Sequence, residues 1–489
     1  MLFNSYIFIF VFLPIVLVGY FAINATGRYG LGRVFLLAMS LWFYGYYNPK
    51  YLLIIGASVL VNYGIYRLIK KRQNEAAEKI KTAKPVMILG VAINLGLLFY
   101  FKYVDFFLEN LNALAGTDIA FLNIALPLGI SFFTFQQISF IVDTYRGQVG
   151  DYDILTYACY VTFFPQLVAG PIVTHDELIP QLMDPGKKKV DWDNMAKGLY
   201  VFAIGLGKKV LLADVFGVAV NWAFENVADL GATNAILAAL GYTFQLYFDF
   251  SGYCDMAIGL GLMLNLLLPV NFDSPYKSYD MNEFWNRWHI TLGRFFTRYV
   301  YIPLGGNRRG NVRTYINLFV VFLLSGFWHG ASWTFVIWGL LNGVLCIINR
   351  IFKEFFKNMH AGLAWMINFV YASLAFVFFR ANTVGDAIEL IKQILYVDFT
   401  TISVDILDAF KTPVLKFLLD GTAVTNSLPY IYVGIYYFLA FYIIMGCKNS
   451  KEKMESFKAG PCSLAFTAVL LVASILSFAG ISTFLYFNF

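Results

Sequence analysis

The chain is poor in charge. Only 13% of its 489 residues are Asp, Glu, Lys or Arg, about half the roughly 25% of a soluble domain. Hydrophobic residues make up 59%, more apolar surface than a soluble fold of this length could hide, so lipid is the main solvent. The five cysteines (Cys159, Cys254, Cys346, Cys447, Cys462) show neither metal-ligand spacing nor a paired framework. They read as apolar fillers, and no metal site is expected. No serine-centred nucleophile elbow occurs. No internal repeat is evident, and with it the inverted halves of many secondary transporters are missing. No basic stretch precedes Phe8, so the run 5–23 reads as a retained spanning helix rather than a signal peptide. The net charge of +6 falls in short loops between apolar runs. There it is a topology signal and not a nucleic-acid surface.

What the chain does have is apolar runs of spanning length. They lie at 5–23, 51–69, 85–101, 124–142, 196–222, 233–250, 314–328, 332–349, 362–379, 429–446 and 462–482, with a shorter one at 33–47. The expected fold is an all-α polytopic membrane protein, a single domain over 1–489, with about eleven spanning helices. The stretch 154–172, interrupted by Pro165, Gly170 and Pro171, reads as re-entrant or broken. Such backbone survives at membrane depth only where protein or a water-filled cavity satisfies it. Basic clusters at Arg67–Lys84, Lys187–Lys189, Arg308–Arg313 and Lys448–Lys458 belong on the cytoplasmic side. Alternation from these puts the N-terminus outside, along with Lys102–Phe121 and Asn382–Pro429. Within the latter, Ala387–Leu395 is amphipathic and suits an outer surface.

There are four histidines. His175 lies in a polar loop and His360 in a basic one, and both are expected in solvent. His329 ends an apolar run beside Trp328, at membrane depth, where an ionisable side chain is costly and points to function. The alternative is a core histidine satisfied by a neighbouring helix. Gly326, Gly330 and Ala331 would leave room for a substrate beside the imidazole. His289 closes the stretch Asp280–His289, in which Asp280 and Glu283 fit a capping box. If the helix continues, Trp285, His289, Leu292 and Phe296 share one face. Arg287, Thr291, Arg294 and Arg298 then form a basic stripe. The stripe could meet anionic headgroups or the phosphates of an acyl donor, which Arg binds in bidentate geometry.

O-acyl transfer needs few parts. A hydroxyl must lose its proton as it attacks a thioester, and a neutral imidazole accepts it well. The developing oxyanion needs donors such as an indole, an Asn amide or backbone N–H groups. His329 as base, with His289 and Asn286 nearby, would suffice.

At these residues the chain resembles the membrane-bound O-acyltransferase family, and within it the membrane subunit of alginate O-acetylation. The resemblance rests on Pro127–Phe132, Asp143–Gly147, Phe163–Ile172, Asp249–Tyr253, Asn271–Tyr276, Phe284–His289, Tyr301–Arg308 and Gly326–Gly330. It implies a ring of helices around a central pore, His329 as the embedded catalytic histidine and His289 as the second histidine of the site. It implies an acyl donor arriving from the cytoplasm, with no permanently bound cofactor, and an acceptor on the other side. A D-alanylating branch of the family shares Trp-Asn-Arg-Trp-His but not Leu-Gly-Gly-Asn-Arg, which favours acetyl-CoA over a carrier protein. The expected setting is multi-pass in a bacterial cytoplasmic membrane. Expected site residues are His329 and His289 as catalytic groups, with Asn286, Trp285, Arg287, Arg294, Arg298 and Trp328 binding donor or substrate. The outer segments contain no histidine, and a polymer is too bulky to enter a helical ring. A secreted or membrane-anchored hydrolase-like transferase is therefore expected to carry acetyl to a glycan. The residues do not name the glycan. D-alanyl transfer to teichoic acid, lipid esterification and a transporter with a proton-relay histidine stay open.

Overall fold

The computed structural model describes residues 1–75, 79–412, 428–478 and 484–485. The described residues form helices joined by turns and short irregular segments, with one isolated antiparallel bridge. Among the described residues, seven helices are long and apolar enough to cross a membrane: Phe8–Ala25, Lys50–Asn74, Thr82–Ala115, Gly310–His329, Trp333–Ile351, Ala361–Arg380 and Leu428–Gly446. At most half of each span is buried within the protein. The remaining faces are apolar, as lipid requires. The chain is thus an all-α, multi-pass membrane protein. Other expected runs fold as helices with different limits. The run 33–47 lies in Tyr29–Gly45, and 233–250 is part of Gly231–Met263. The run 124–142 becomes helical only at Ile130, after a turn through Pro127 and Gly129. The last part of 462–482 and residues 413–427 of the segment 382–429 lie outside the described residues.

The chain divides into two compact units, 1–202 with 256–269, and 203–255 with 270–489. The first has an aromatic core in which Phe12 meets Phe164 edge-on at 5.3 Å and Phe8 stacks on Phe202 at 6.3 Å. The segment 154–172 is broken as expected. Asp153 caps the helix Ile154–Thr162, accepting from the Thr156 backbone N–H at 2.7 Å. Phe163 leaves helical geometry, and the single turn Phe164–Leu167 starts with Pro165 near its N-terminus. The freed Tyr160 carbonyl accepts from the amides of Gln136 and Gln166 at 3.0 and 2.9 Å. Side chains thus satisfy the backbone that the helix gave up.

In the second unit, Gly310–His329 and Trp333–Ile351 form a hairpin closed by Gly330–Ser332. The two helices approach to backbone contact. A Cβ on Gly326 would lie 2.4 Å from the Phe335 carbonyl oxygen, and one on Gly339 2.5 Å from that of Phe322. Small residues let helices in lipid pack by van der Waals contact, since hydrophobic burial adds little there. The amphipathic stretch Ala387–Leu395 folds within the helix Val384–Leu395, opened by a capping box between Thr383 and Asp386. It buries Ala387 and Leu390, and Gln393 donates to the Ala228 carbonyl at 3.3 Å.

Gly326→Ala should therefore force the hairpin apart at a cost of about 1–3 kcal/mol. A Cβ on Gly434 meets nothing within 4 Å, so Gly434→Ala serves as control. The readout is thermal loss of the monodisperse detergent-solubilised peak. The expected result is an earlier loss for Gly326→Ala and an unchanged or later one for Gly434→Ala.

Candidate active site

The site grows from a break in a helix. Asp280 caps Met281–Arg287, accepting from the Glu283 N–H at 2.9 Å. The Glu283 carboxylate reaches back one residue further than a standard capping box, to the Tyr279 N–H at 2.9 Å. The expected continuous helix does not form. Trp288 is extended, His289 takes the left-handed conformation (φ 46°, ψ 51°), and a second helix runs Ile290–Phe296. The cause is pairing with another segment. Phe272 and Trp288 form an antiparallel bridge. The Asp273 N–H donates to the Arg287 carbonyl at 2.9 Å, and the Ile290 N–H to the Asn271 carbonyl at 3.0 Å. Trp288 anchors the break, 3% exposed and stacked on Phe284 at 5.5 Å.

The break dissolves the basic stripe. Thr291, expected beside the arginines, is buried and bonded to Asn271. Arg287 is spent within the fold. It pairs with Glu283 at 2.8 Å and donates to the Asp273 carbonyl at 3.3 Å. Arg294 is exposed and Arg298 half-buried, its guanidinium 5.5 Å from the Tyr299 ring centroid. Asn286 is exposed.

His289 itself is 2% exposed. Asn271 Oδ1 accepts from the Thr291 N–H at 3.1 Å and from the Thr291 hydroxyl at 3.0 Å, and it lies 3.1 Å from His289 Nδ1. The Asn271 amide nitrogen donates to Cys254 Sγ at 3.4 Å, so Cys254 has a polar role rather than that of a filler. Phe250 meets the imidazole edge-on at 4.7 Å. His289 lies outside the seven spans. Burial pushes its imidazole down from the ordinary 6.5 to about 3, because the charged form loses its water.

His329 is the last residue of its helix and 3% exposed. Its ring lies 5.2 Å from Trp338, edge-on, 5.0 Å from Phe379, and 6.4 Å from His289. Trp328 meets the His289 ring at 6.0 Å. Trp285 packs against Trp338 and Phe322, each at 5.5 Å. His329, His289, Trp328 and Trp285 are thus gathered in one aromatic enclosure, while Asn286 and Arg294 face outward. The glycines beside His329 give the substrate no room. The place of a side chain on Gly326 is taken by helix backbone, and that on Gly330 by the Phe335 ring at 2.1 Å.

Two features escaped the sequence. Trp338 is 1% exposed, and its indole N–H and that of Trp285 are buried without a protein acceptor. Both are donors of the kind an oxyanion needs; Trp285 was an expected site residue, while Trp338 is hidden in an apolar run where Trp reads as filler. The helix carrying Phe250 is also held by buried ion pairs. Lys208 meets Asp255 at 2.7 Å, and Lys209 meets Asp214 at 2.8 Å and also Asp249. The signal was present, since two lysines interrupt the run 196–222. Among the described residues no group of three or more His, Cys, Asp or Glu side chains could hold a metal ion.

His175 is a correction. It is 3% exposed, edge-on to Phe140 at 5.8 Å, with Nε2 3.5 Å from Asp143 Oδ2. The expected loop is the helix His175–Met183, opened by a Thr174–Glu177 capping box, whose Leu178, Ile179 and Leu182 draw it into the core. His360 is exposed as expected.

Residues 120–385 match the family model for membrane-bound O-acyltransferases. The chain is 40% identical to the peptidoglycan O-acetyltransferase of Helicobacter pylori, over all of this chain and 98% of that protein. It is 34% identical to the "Probable alginate O-acetylase AlgI" of Azotobacter vinelandii over the full length of both. It is 27% identical to the teichoic acid D-alanyltransferase of Streptococcus thermophilus, over 53% of this chain and 66% of that one. The chain belongs to the membrane-bound O-acyltransferase family. It is an O-acyltransferase, of the branch that holds the alginate O-acetylases, and the aromatic enclosure around His289 and His329 falls inside the matched region.

Two measurements test this geometry. Folded His289 stays neutral down to about pH 3, whereas in the unfolded chain it protonates near 6.5. Below 6.5 the unfolded state therefore binds a proton that the folded state does not, and stability falls as pH drops. At pH 5.5 the loss is on the order of 1 kcal/mol. The melting temperature of His289→Gln should show correspondingly less acid sensitivity than that of the wild type between pH 7 and 5. Arg287→Ala should lower the melting temperature, the half-exposed ion pair contributing about 1 kcal/mol or less.

Proposed function

We propose that this O-acyltransferase takes acetyl from acetyl-CoA on the cytoplasmic side of a bacterial cell membrane and passes it outward toward a cell-wall or secreted glycan. The observation that carries this reading is the meeting of two buried imidazoles, 6.4 Å apart, in an aromatic enclosure. The whole-length likeness to a peptidoglycan O-acetyltransferase supports acetyl as the group and a glycan as the destination. The D-alanyl alternative has the weaker likeness, over about half of the chain.

His329 is assigned as the base that takes the acceptor hydroxyl's proton, with His289 as the second imidazole. The acceptor oxygen bonds to the thioester carbonyl carbon, and the C–S bond breaks. The proton goes through imidazole to the departing thiolate, and CoA leaves as the thiol. The indole N–H groups of Trp338 and Trp285 are the donors assigned to the developing oxyanion, and Trp328 walls the enclosure. Arg294 and Arg298 are assigned to the donor's phosphates, while Arg287 stays with Glu283. The positive-inside rule supports an N-terminus outside. On that topology the helix from Gly310, beside Arg308 and Arg309, carries His329 about 30 Å along its axis, away from the cytoplasm. A bulky polymer still cannot reach a residue 3% exposed. The reading therefore includes a secreted or membrane-anchored hydrolase-like partner, whose serine accepts acetyl and hands it to the glycan.

The test is reconstitution in liposomes with acetyl-CoA inside and glycan outside. Wild type with the partner should acetylate the polymer, and His329→Ala, inserted at equal level, should lose at least 100-fold. Full activity of His329→Ala would remove the assignment, and efficient acetylation without any partner would remove the relay.

A further inference from the structure

Resting on the reading of His289 as the second imidazole, we propose that Asn271 is its positioning residue. It locks His289 in the Nδ1–H tautomer, so that His289 acts in the reaction only through Nε2, as a proton acceptor and not as an N–H donor to the oxyanion.

The argument is an accounting of donors and acceptors. The Thr291 backbone N–H can only donate, and it points at one atom of the Asn271 amide at 3.1 Å. That atom is therefore the oxygen, which fixes which way the amide faces. The Thr291 hydroxyl adds a second contact to the same oxygen at 3.0 Å, and His289 Nδ1 a third at 3.1 Å. A carbonyl oxygen cannot donate, so Nδ1 carries the hydrogen. A neutral imidazole has only one, which leaves the lone pair on Nε2. The amide nitrogen is held by Cys254 Sγ at 3.4 Å, and the backbone carbonyl of Asn271 accepts from the Ile290 N–H at 3.0 Å. Asn271, 1% exposed, thus grips both sides of the left-handed residue it orients. The consequence divides labour at the site. If His289 cannot donate, the oxyanion must be met by other groups, and the buried indoles of Trp338 and Trp285 are placed to serve.

Few charges compete in this neighbourhood. On the elements packed against His289 the titratable groups include His329 and, on the helix that carries Phe250, Cys254, the phenols of Tyr242, Tyr247 and Tyr253, and Asp249 and Asp255, the last two held by Lys209 and Lys208. Asp273 is engaged by Lys451 at 2.9 Å and Asn449 at 2.8 Å.

With only four histidines in the chain, nitrogen-15 NMR of histidine-labelled protein in bilayers can read the tautomer directly, His289→Gln assigning the signal. The expected wild-type spectrum shows His289 protonated at Nδ1 and bare at Nε2. In Asn271→Ala that pattern should be lost, and kcat should fall about tenfold or more with the KM for acetyl-CoA unchanged. Asn271→Asp keeps the acceptor, and the Cys254 S–H can turn to donate, so it should fold even if the alanine variant does not. Its carboxylate favours the imidazolium, moving the acid limb of the pH–rate profile to higher pH by about 1 to 3 pH units. A wild-type His289 protonated at Nε2, or an acid limb unmoved in Asn271→Asp, overturns the proposal. Absence of acetyl transfer in the wild type would instead count against the donor reading, and the tautomer spectrum would still decide the role of Asn271.

Discussion

One short piece of backbone pairing governs this site. Asn271–Asp273 lies antiparallel to Arg287–Ile290, joined by hydrogen bonds at 2.9 and 3.0 Å. Without it the residues from Met281 onward would continue as one helix. Their pattern favours that, and a helix satisfies its own backbone at no tertiary cost. The pairing offers the freed groups other partners, and burial of Trp288 offsets the loss of helical bonds. What it secures is direction. His289, in a left-handed conformation costing about 1 kcal/mol or more, turns its ring against Phe250 and toward the His329 enclosure.

The other half of the site depends on a different constraint. The imidazole of His329 sits where it does because two helices touch through glycine, with no side chain between Gly326 and Gly339. That contact fixes the height of the hairpin turn. It sets Trp338, one turn past the start of the second helix, beside the ring of His329. The enclosure is therefore built by packing rather than by polar pairing. Its walls are Trp328, Trp338, Phe335 and Phe379. An enclosure of this kind excludes water and strengthens whatever electrostatics act inside it. It also accounts for the neutral state of His289, since the water an imidazolium loses on burial outweighs the backbone hydrogen bond that favours it.

The buried lysine–aspartate pairs give the scaffold rigidity of another sort. Taking charges from water is costly, and such pairs persist where geometry and added hydrogen bonds compensate. Here Ser450 donates to Asp255 at 2.5 Å and the Leu485 N–H to Asp249 at 3.0 Å. The helix bearing Phe250 is thereby tied on both sides of the residue that packs on His289.

Composition and apolar runs determined the membrane class and the helical fold, because an unpaired peptide group in lipid leaves little choice of structure. The same reading singled out His329, since an ionisable residue in so apolar a setting is conspicuous, and His289 through the motif Phe284–His289 that carries the family resemblance. It also found the broken segment 154–172, whose prolines and glycine cannot continue a helix. What it could not supply was any fact resting on contacts distant along the chain. The basic stripe was read from helical periodicity, which holds only while the helix continues. Asn271, sixteen residues before Arg287, ended it. His175 looked solvated because its neighbours are polar, yet Leu178, Ile179 and Leu182 follow on the same helix and carry it inside. Glycines near His329 looked like space for a substrate, and a neighbouring helix and a phenyl ring fill that space. Local pattern fixes which residues avoid water or lipid. Only tertiary packing decides which of them meet, because the partner that breaks a helix or fills a gap comes from elsewhere in the chain.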